Sequence, residues 1–142
     1  MLRWLGLREL TTSQVRLRLR RRQFPGDVID ATLEALAAER ILDDRRAAHA
    51  RARHDVGIRR QGPGRVLRQV EALGVARDTA REAVAAAFDG VDLDAMLDAA
   101  IVRRLRGQPV PSDPRAAARL AAWLIRQGFD ADRVFSRLRR RT

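Results

Sequence analysis

Residues 11–36 read TTSQVRLRLRRRQFPGDVIDATLEAL, and this stretch decides the fold of the chain. Val15 and Leu19 lie four residues apart, which places them on one face of a helix. A second apolar pair with the same spacing follows the Pro-Gly break at residues 25–26, and Phe24 stands at the corner between the two. The stretch therefore predicts two short helices that pack face to face around a tight turn.

The same apolar pattern occurs three times. Five positions recur after 51 residues, and again after a further 54, with identical spacing inside each copy. The fifteen residues are Val15, Leu19, Phe24, Ile29 and Leu33; Val66, Val70, Val75, Ala80 and Val84; and Leu120, Leu124, Phe129, Val134 and Leu138. Self-similarity at this period is typical of helical repeat proteins.

A longer helix is predicted before the second and third copies. Residues 42–44 (LDD) and 92–94 (DLD) place carboxylates at the positive end of a helix dipole. We expect these two helices to end near Val56 and Arg106. Residues 1–10 take the place of a shortened long helix before the first pair.

Three units, each long, short and short, thus follow one another with boundaries near residues 41 and 91. They comprise residues 1–40, 41–90 and 91–142. No stretch shows the alternation of a strand. Because each unit packs mainly on its neighbours, the predicted fold is all-α: three tandem three-helix, helix-turn-helix-like repeats in an elongated, curved stack.

The helix ends carry their own signals. Thr11 and Gln14 have the spacing of a capping box at the start of the first short helix. Gly74 and Gly128 precede the corner residue in the second and third copies, where a left-handed helix terminator is expected. Gln23 holds that position in the first copy, so its turn must differ slightly or accept strain.

The composition suits a folded protein with an anionic partner. The chain has 142 residues, 29 basic and 18 acidic, and a net charge of +11. Lys, Asn and Tyr, whose codons are AT-rich, are absent, so genome composition accounts for Arg in place of Lys but not for the excess charge. The excess favours nucleic acid or a complex that contains it. With no Cys and no membrane-length apolar run, we expect a cytoplasmic, bacterial, monomeric protein.

No enzyme signature is present. His49 and His54 lie five apart, so they do not form a metal pair on one helical face, and we expect them to be exposed or to pack. Asp94 and Asp98 do share a face, but capping explains Asp94 more simply. Residues 62–64 (GPG) lack the preceding strand and the Lys of a phosphate loop. We predict no catalytic residue, no cofactor and no metal site.

The arginines are the remaining functional signal. Any single Arg is more often a solvated side chain covering apolar surface, but together they predict a basic face on the repeat scaffold. The candidate residues for binding a partner or nucleic acid are Arg16, Arg20, Arg45, Arg46, Arg51, Arg53, Arg65 and Arg68.

Several ordered motifs lie along the chain. Residues 11–24 follow TxxQVRxRLxxRQF, residues 42–48 read LDDRRAA, and residues 62–66 read GPGRV. Val70 and the pair Gly74 and Val75 follow, and residues 126–129 read RQGF. This series resembles the bacterial RecX family of regulators of the RecA recombinase, which tends towards SxxELRxKLxxKGF, LDDxRFA, GPxRI, L with GI, and RxGF. The resemblance extends over nearly the whole chain.

The resemblance implies three tandem three-helix repeats and a partner. That partner is the RecA–DNA filament, whose groove such proteins occupy, restraining recombinase and co-protease activity in DNA repair and the SOS response. Arg46 and Arg65 match basic positions of the family motifs. The chain departs from the family at Ala47, Gln23 and Leu73, where Phe, Gly and Lys are usual. If the family Phe packs in the core, its loss costs about 3–5 kcal/mol unless neighbours refill the space.

The resulting hypothesis is a RecX-like, non-enzymatic modulator that binds a RecA nucleoprotein filament through a basic face. The alternative is a helical module that binds single- or double-stranded nucleic acid directly, without a recombinase. A regulatory enzyme would require a pocket with convergent polar groups, which the sequence does not indicate. Competition between bare DNA and RecA-coated DNA separates the first two.

Overall fold

The computed structural model describes residues 9–141, and within them all regular structure is helical. The helices are α1 (Thr12–Arg21), α2 (Gly26–Ala38), α3 (Asp44–Gly57), α4 (Pro63–Glu71), α5 (Arg77–Ala87), α6 (Leu93–Leu105), α7 (Pro114–Arg126) and α8 (Ala131–Arg141). The all-α prediction is confirmed. The shortened helix predicted over residues 1–10 lies almost wholly outside the described residues.

The buried side chains form three separate cores in chain order. The first joins α1 to α2, the second α3 to α5, and the third α6 to α8. Fourteen of the fifteen recurring apolar residues are buried, and Phe24 is half-buried against the first core. The tandem repeat is therefore real, although Leu42 packs in the first core; the unit boundaries near residues 41 and 91 stay predictions.

The three cores do not merge into one. The molecule is a stack of units rather than a single globule.

The predicted helix starts are confirmed at atomic detail. The Gln14 backbone N–H donates to Thr11 Oγ1 at 3.2 Å, and the Thr11 N–H donates to Gln14 Oε1 at 2.9 Å, so the capping box is complete. Asp43 and Asp92 cap α3 and α6 by accepting backbone N–H groups at 3.0 Å. The two long helices end within one residue of the predicted positions.

The corners between the short helices share one backbone conformation. Gly74 and Gly128 have positive φ angles of 83° and 105°, as expected for glycine terminators. Gln23 adopts the same region, with φ at 63°. The first turn thus keeps the geometry of the other two and accepts the strain of a side chain there.

A first joint connects the first two units. Thr11 Oγ1 donates to the Leu73 carbonyl at 2.6 Å, and Ser13 Oγ donates to the Gly74 carbonyl at 2.9 Å. The start of α1 therefore sits on the corner between α4 and α5. A Cβ at Gly74 would lie 2.5 Å from the Cβ of Ser13, so the contact leaves no room for a side chain at the corner.

A second joint connects the second and third units in the same way. The Gly62 N–H donates to the Gln127 carbonyl at 2.7 Å, and the Gly64 N–H donates to the Gly128 carbonyl at 2.9 Å. A Cβ at Gly128 would lie 2.5 Å from the Arg65 nitrogen and from the Gly62 oxygen. The start of α4 therefore meets the α7–α8 corner backbone to backbone.

The two joints use equivalent positions with different chemistry. The donors of the second joint, Gly62 and Gly64, lie 51 residues after the donors of the first, Thr11 and Ser13. The acceptor carbonyls of the second joint lie 54 residues after those of the first. In the first joint hydroxyl side chains reach across to the corner. In the second the absence of side chains lets the main chain donate directly.

Candidate interaction surface

The eight predicted arginines fall into two groups. Five donate to partners within the chain, and the guanidinium groups of the other three make no ion pair with any residue between 9 and 141. The engaged residues are Arg16, Arg45, Arg46, Arg51 and Arg65. The others are Arg20, Arg53 and Arg68, all exposed.

Two of the engaged arginines hold helices of one unit together. Arg16 on α1 bonds Asp30 on α2 at 2.9 Å. Arg45 on α3 bonds Glu82 on α5 at 2.7 Å through Nη2, and this hydrogen bond lowers the pKa of Glu82. Both carboxylates are largely exposed, so solvent screens these pairs and each adds little stability.

Arg46 binds the end of the first unit. Its Nε donates to Glu9 Oε2 at 3.0 Å, and its two terminal nitrogens donate to the carbonyls of Arg40 and Ile41 at 3.2 Å. These carbonyls follow α2, so Arg46 fastens the start of α3 to the preceding turn. Its role within the described residues is the connection between units.

A polar network links Arg51 to the third unit. Arg51 Nε donates to Asp55 Oδ2 at 2.8 Å. The Gln69 side-chain amide is oriented with its nitrogen towards Asp55 and its oxygen towards Arg65, the orientation in which both atoms form hydrogen bonds. The nitrogen donates to Asp55 Oδ2 at 2.6 Å, and the oxygen accepts from Arg65 Nε at 3.1 Å. Arg65 Nη1 then donates to Gln127 Oε1 at 3.2 Å. The chain of bonds crosses the second joint.

Asp55 is one of the residues of this network that were not predicted from the sequence. Its side chain is fully buried, and a buried carboxylate is costly unless a cation and donors satisfy it. The i, i+4 spacing from Arg51 was an available signal for the ion pair. Nothing in the local pattern indicated Gln69 or Gln127, because both meet their partners through tertiary packing.

The three unengaged arginines lie on three different helices. Arg20 lies in the last turn of α1, and Arg53 lies on α3. Arg68 on α4 borders a cavity of about 360 Å³ between α4 and the α7–α8 corner. The eight predicted residues therefore belong to α1, α3 and α4 of the first two units, and the basic face that they were predicted to form stays a prediction.

Three further exposed arginines lie outside the predicted set. Arg59 and Arg60 lie in the loop between α3 and α4, and Arg103 lies in the last turn of α6. Partial burial, and next the charge of Arg60, lower the pKa of Arg103. Ile58, which precedes Arg59 in the chain, is 73% exposed.

On the third unit, acidic and basic residues pair between α6 and α8. Arg133 Nη1 bonds Asp94 Oδ1 at 2.6 Å, and Arg137 bonds Asp98 through two nitrogens. Arg141 Nε lies 3.6 Å from Asp98 Oδ1. The hydrogen bond from Arg137 lowers the pKa of Asp98. Arginines thus occupy this carboxylate pair, and residues 9–141 contain no group of three or more ligands suited to a metal.

A cavity of about 420 Å³ lies near the first joint, beside Ala47. Ala47 is buried, and Ala50 and Leu73 line the same space. This is where the family resemblance places a Phe. Within residues 9–141, the neighbouring side chains leave this volume unfilled.

None of the described helices is long and apolar enough to cross a membrane.

Comparisons with known proteins agree with this architecture. A family model for the first three-helix domain of RecX matches residues 1–36. The chain is 38% identical to the regulatory protein RecX of Halorhodospira halophila over 134 residues, which cover 94% of this chain and 80% of that protein.

Two solved structures resemble the fold. One is described as regulatory protein RecX, with a TM-score of 0.74 at 19% identity, over 99% of this chain and 68% of that one. The other is RecX from Lactobacillus salivarius, with a TM-score of 0.71 at 16% identity, over 98% and 90%. At these identities the structural likeness shows the fold alone.

Proposed function

The chain belongs to the RecX family of regulatory proteins, and from this membership we propose that it regulates a RecA recombinase without catalysing a reaction. It binds the RecA–DNA filament along the groove and restrains recombinase and co-protease activity. The observation that carries the proposal is the 38% identity to a regulatory protein RecX over nearly the whole chain.

The shape and charge of the molecule support this mode of binding. Three units in a row give a long surface, and a groove that runs along a filament is long as well. A net charge of +11 favours a partner that contains nucleic acid. Arginine suits such a mixed partner because its planar fork pairs with both carboxylates and phosphates.

Among the eight proposed contact arginines, three are the most direct candidates. Arg20, Arg53 and Arg68 are exposed, and their guanidinium groups are not committed to ion pairs in the described part of the chain. Arg46 and Arg65 also match the family motifs, but their bonds to other units mean that substituting them would disturb the fold as well as the surface. A binding test is therefore cleaner at Arg53 and Arg68.

We expect tighter binding to RecA-coated single-stranded DNA than to the same DNA bare. Binding to bare DNA rests on counterion release and falls steeply with salt. Filament binding retains a salt-resistant part from protein–protein contacts. The measurement is a fluorescence titration onto both substrates at two salt concentrations. Equal affinity and equal salt slope would contradict the proposal and leave a direct nucleic-acid binder.

The surface is tested with Arg53→Glu combined with Arg68→Glu. This variant should lose about tenfold in filament affinity because a charge of the wrong sign then faces the filament. The matched control is Arg77→Glu with Arg81→Glu on α5, which makes the same change in charge on a helix that carries none of the eight residues. Equal losses in both variants would mean that net charge, and not these two positions, governs binding.

A further inference from the structure

The third unit carries an apolar cavity, which we call the α7–α8 cavity. It has a volume of about 310 Å³, and none of its lining residues is acidic. Most of the lining is apolar and comes from Pro114, Ala117, Ala118 and Ala121 of α7 and from Phe135 and Leu138 of α8. Phe135 is 46% exposed and is the only exposed Phe or Trp within residues 9–141. A half-exposed aromatic ring beside an open apolar cavity is typical of a protein-binding surface.

The place of the cavity in the repeat explains why it is open. In each joint, the residues four and two positions before the first apolar residue of the short-helix pair bond to the next unit. Before Leu120, these positions hold Ala116 and Ala118. Ala118 lines the cavity and is exposed, so no further unit covers this end of α7 within residues 9–141. Terminal units of a repeat stack normally carry a polar outer face, whereas this one is apolar.

The start of α7 offers different chemistry from the starts of α1 and α4. The Ala116 N–H donates to Asp113 Oδ2 at 3.1 Å, and Pro114 at the first helical position has no N–H. The backbone of this first turn is therefore occupied by the helix cap, and small apolar side chains face the cavity instead. A helix corner that offers carbonyl groups, as in the two joints, does not fit here. An inserted apolar side chain does.

The surroundings of the cavity are basic. Arg139 is one of its lining residues. Arg115 and Arg119 lie four apart on α7, so they share one side of the helix, next to the face of Pro114 and Ala118 that lines the cavity. Both are exposed and make no ion pair with residues 9–141. Cations around an apolar floor favour an occupant that carries carboxylates.

A second copy of this chain matches the cavity poorly. Head-to-tail continuation of the stack would bring the α1–α2 corner onto α7, and residues 20–22 beside that corner are all arginine. Like charges brought together in this way oppose contact. Phosphates alone would meet the cations but would leave the apolar floor unused. A protein segment that combines carboxylates with a bulky apolar side chain matches both features.

We propose that the α7–α8 cavity binds a short acidic segment of a protein partner. One bulky apolar side chain inserts beside Phe135, and the flanking carboxylates pair with Arg115 and Arg119. A volume of about 310 Å³ is near the lower end of the range for ligand sites, which suits a single side chain. The inference rests on the proposed function, in which the filament presents protein as well as DNA, and the cavity supplies part of the salt-resistant binding.

The first test uses the whole chain and a short fluorescein-labelled peptide of Glu and Ala with one central Phe, in the absence of any recombinase. Fluorescence anisotropy measures the affinity. Phe135→Ala, or Ala in place of the peptide Phe, should weaken binding by about tenfold, because buried aromatic anchors dominate such contacts. The matched control is Val102→Ala on α6, which is also 46% exposed but does not line the cavity. It should leave the affinity unchanged.

Ala118→Glu is a second variant that keeps the fold, because Ala118 is exposed and Glu is a good helix former. Its carboxylate should repel the acidic peptide and weaken binding by about tenfold. Ala85→Glu, at an exposed position of α5, adds the same charge away from the cavity and should have little effect. Circular dichroism checks the folding of every variant. Failure of the Phe peptide to bind, or equal losses in the variants and their controls, would overturn the site.

Titration onto RecA-coated single-stranded DNA separates this site from the proposed function. Phe135→Ala should weaken filament binding by a similar factor at low and high salt, because salt screens charges and not apolar contacts. Binding to bare DNA should not change. If the peptide binds as expected but the wild type shows no preference for filaments, the site stands and the recombinase proposal falls. If filaments are preferred and the peptide does not bind, the recombinase proposal stands and the site falls.

Discussion

At the scale of single residues, Thr11 combines two structural roles in one hydroxyl. It accepts the Gln14 N–H as the cap of α1 and donates to the Leu73 carbonyl of the next unit. The side chain is fully buried, so without the hydroxyl neither the Gln14 N–H nor the Leu73 carbonyl would gain a water molecule in its place. Thr11, which the capping pattern alone predicts as a helix start, therefore also connects two units.

Thr11→Ala should destabilise the protein by about 2–3 kcal/mol. The lost cap contributes about 1 kcal/mol, and the unsatisfied Leu73 carbonyl adds about 1–2 kcal/mol more. Thr11→Ser keeps the hydroxyl and should lose less than half as much. Urea denaturation followed by circular dichroism measures both. A loss confined to about 1 kcal/mol would mean that the contact with Leu73 adds no stability.

Gln23→Gly should stabilise the protein by up to about 1 kcal/mol. Gln23 has a φ angle of 63°, where a side chain costs about 1–2 kcal/mol and glycine costs only its extra entropy in the unfolded chain. The control is Arg22→Gly, next to it at φ −88°, which has no such strain to relieve and should destabilise. Thermal denaturation of the two variants decides the point; a lower midpoint for Gln23→Gly would contradict it.

At the scale of helices, charge spacing fixes how α8 lies on α6. Arg133, Arg137 and Arg141 recur every four residues on α8, and Asp94 and Asp98 do so on α6. Residues four apart share one face, so the two helices meet along a row of ion pairs. Apolar packing by Leu97, Ile101, Val134 and Leu138 lies in the same core.

Asp98→Asn should cost about 1–3 kcal/mol at neutral pH, because it removes charge-assisted hydrogen bonds from Arg137. The folded-state pKa of Asp98 is lowered, chiefly by the Arg137 hydrogen bond. Its stabilising contribution is thus present above the unfolded pKa of about 3.9 and disappears as pH falls through the lower folded value.

The difference between wild type and variant should accordingly shrink in acid. Urea denaturation at a series of pH values from neutral to strongly acidic follows it. Arg133→Gln, which weakens the neighbouring pair with Asp94, is the control and should leave the pH dependence of Asp98 in place. A difference that stays constant down to acid would show that Asp98 is not held ionised by Arg137.

At the scale of the whole molecule, three small cores depend on two narrow joints. Apart from Leu42, which packs in the first core, each core lies within its own unit. Each joint brings the start of one helix onto the corner of the next unit. Stability in such a stack is a sum of units and nearest-neighbour interfaces. Changes at a joint should therefore alter how the units unfold together.

Gly128→Ala should destabilise by more than about 2 kcal/mol and separate the unfolding of the third unit from the rest. The new Cβ would lie 2.5 Å from the Gly62 oxygen and the Arg65 nitrogen, which are backbone atoms and shift only at a cost. The φ angle of 105° adds strain. Gly107→Ala is the matched control: its φ is 79°, but its Cβ would meet open space. It should cost only about 1 kcal/mol.

Differential scanning calorimetry distinguishes the two glycine variants. Two transitions for Gly128→Ala and one for Gly107→Ala would support a joint that couples units. If both variants lose the same stability in a single transition, the close approach at the second joint contributes nothing beyond backbone strain.

The sequence alone determined the helices, their repetition and their caps. The i, i+4 pairs such as Val15 with Leu19 predicted buried faces, and Thr11 with Gln14 predicted a helix start, and both are confirmed. These features depend on neighbours within about one helical turn, so they can be read directly from residue spacing. The threefold recurrence then gave the unit, because each copy obeys the same local rules.

Only the tertiary structure decided which arginines bond to other residues of the chain and which remain available to a binding partner. Arg45 reaches a carboxylate 37 residues away, and Arg65 reaches Gln127 at a separation of 62 residues. Such pairings depend on how whole units dock, and docking depends on the bonds from Thr11 and Gly62 to distant carbonyls. The spacing of residues along the sequence does not indicate which residues meet when units dock. The helices were therefore predictable, and the charge pattern of the surface was not.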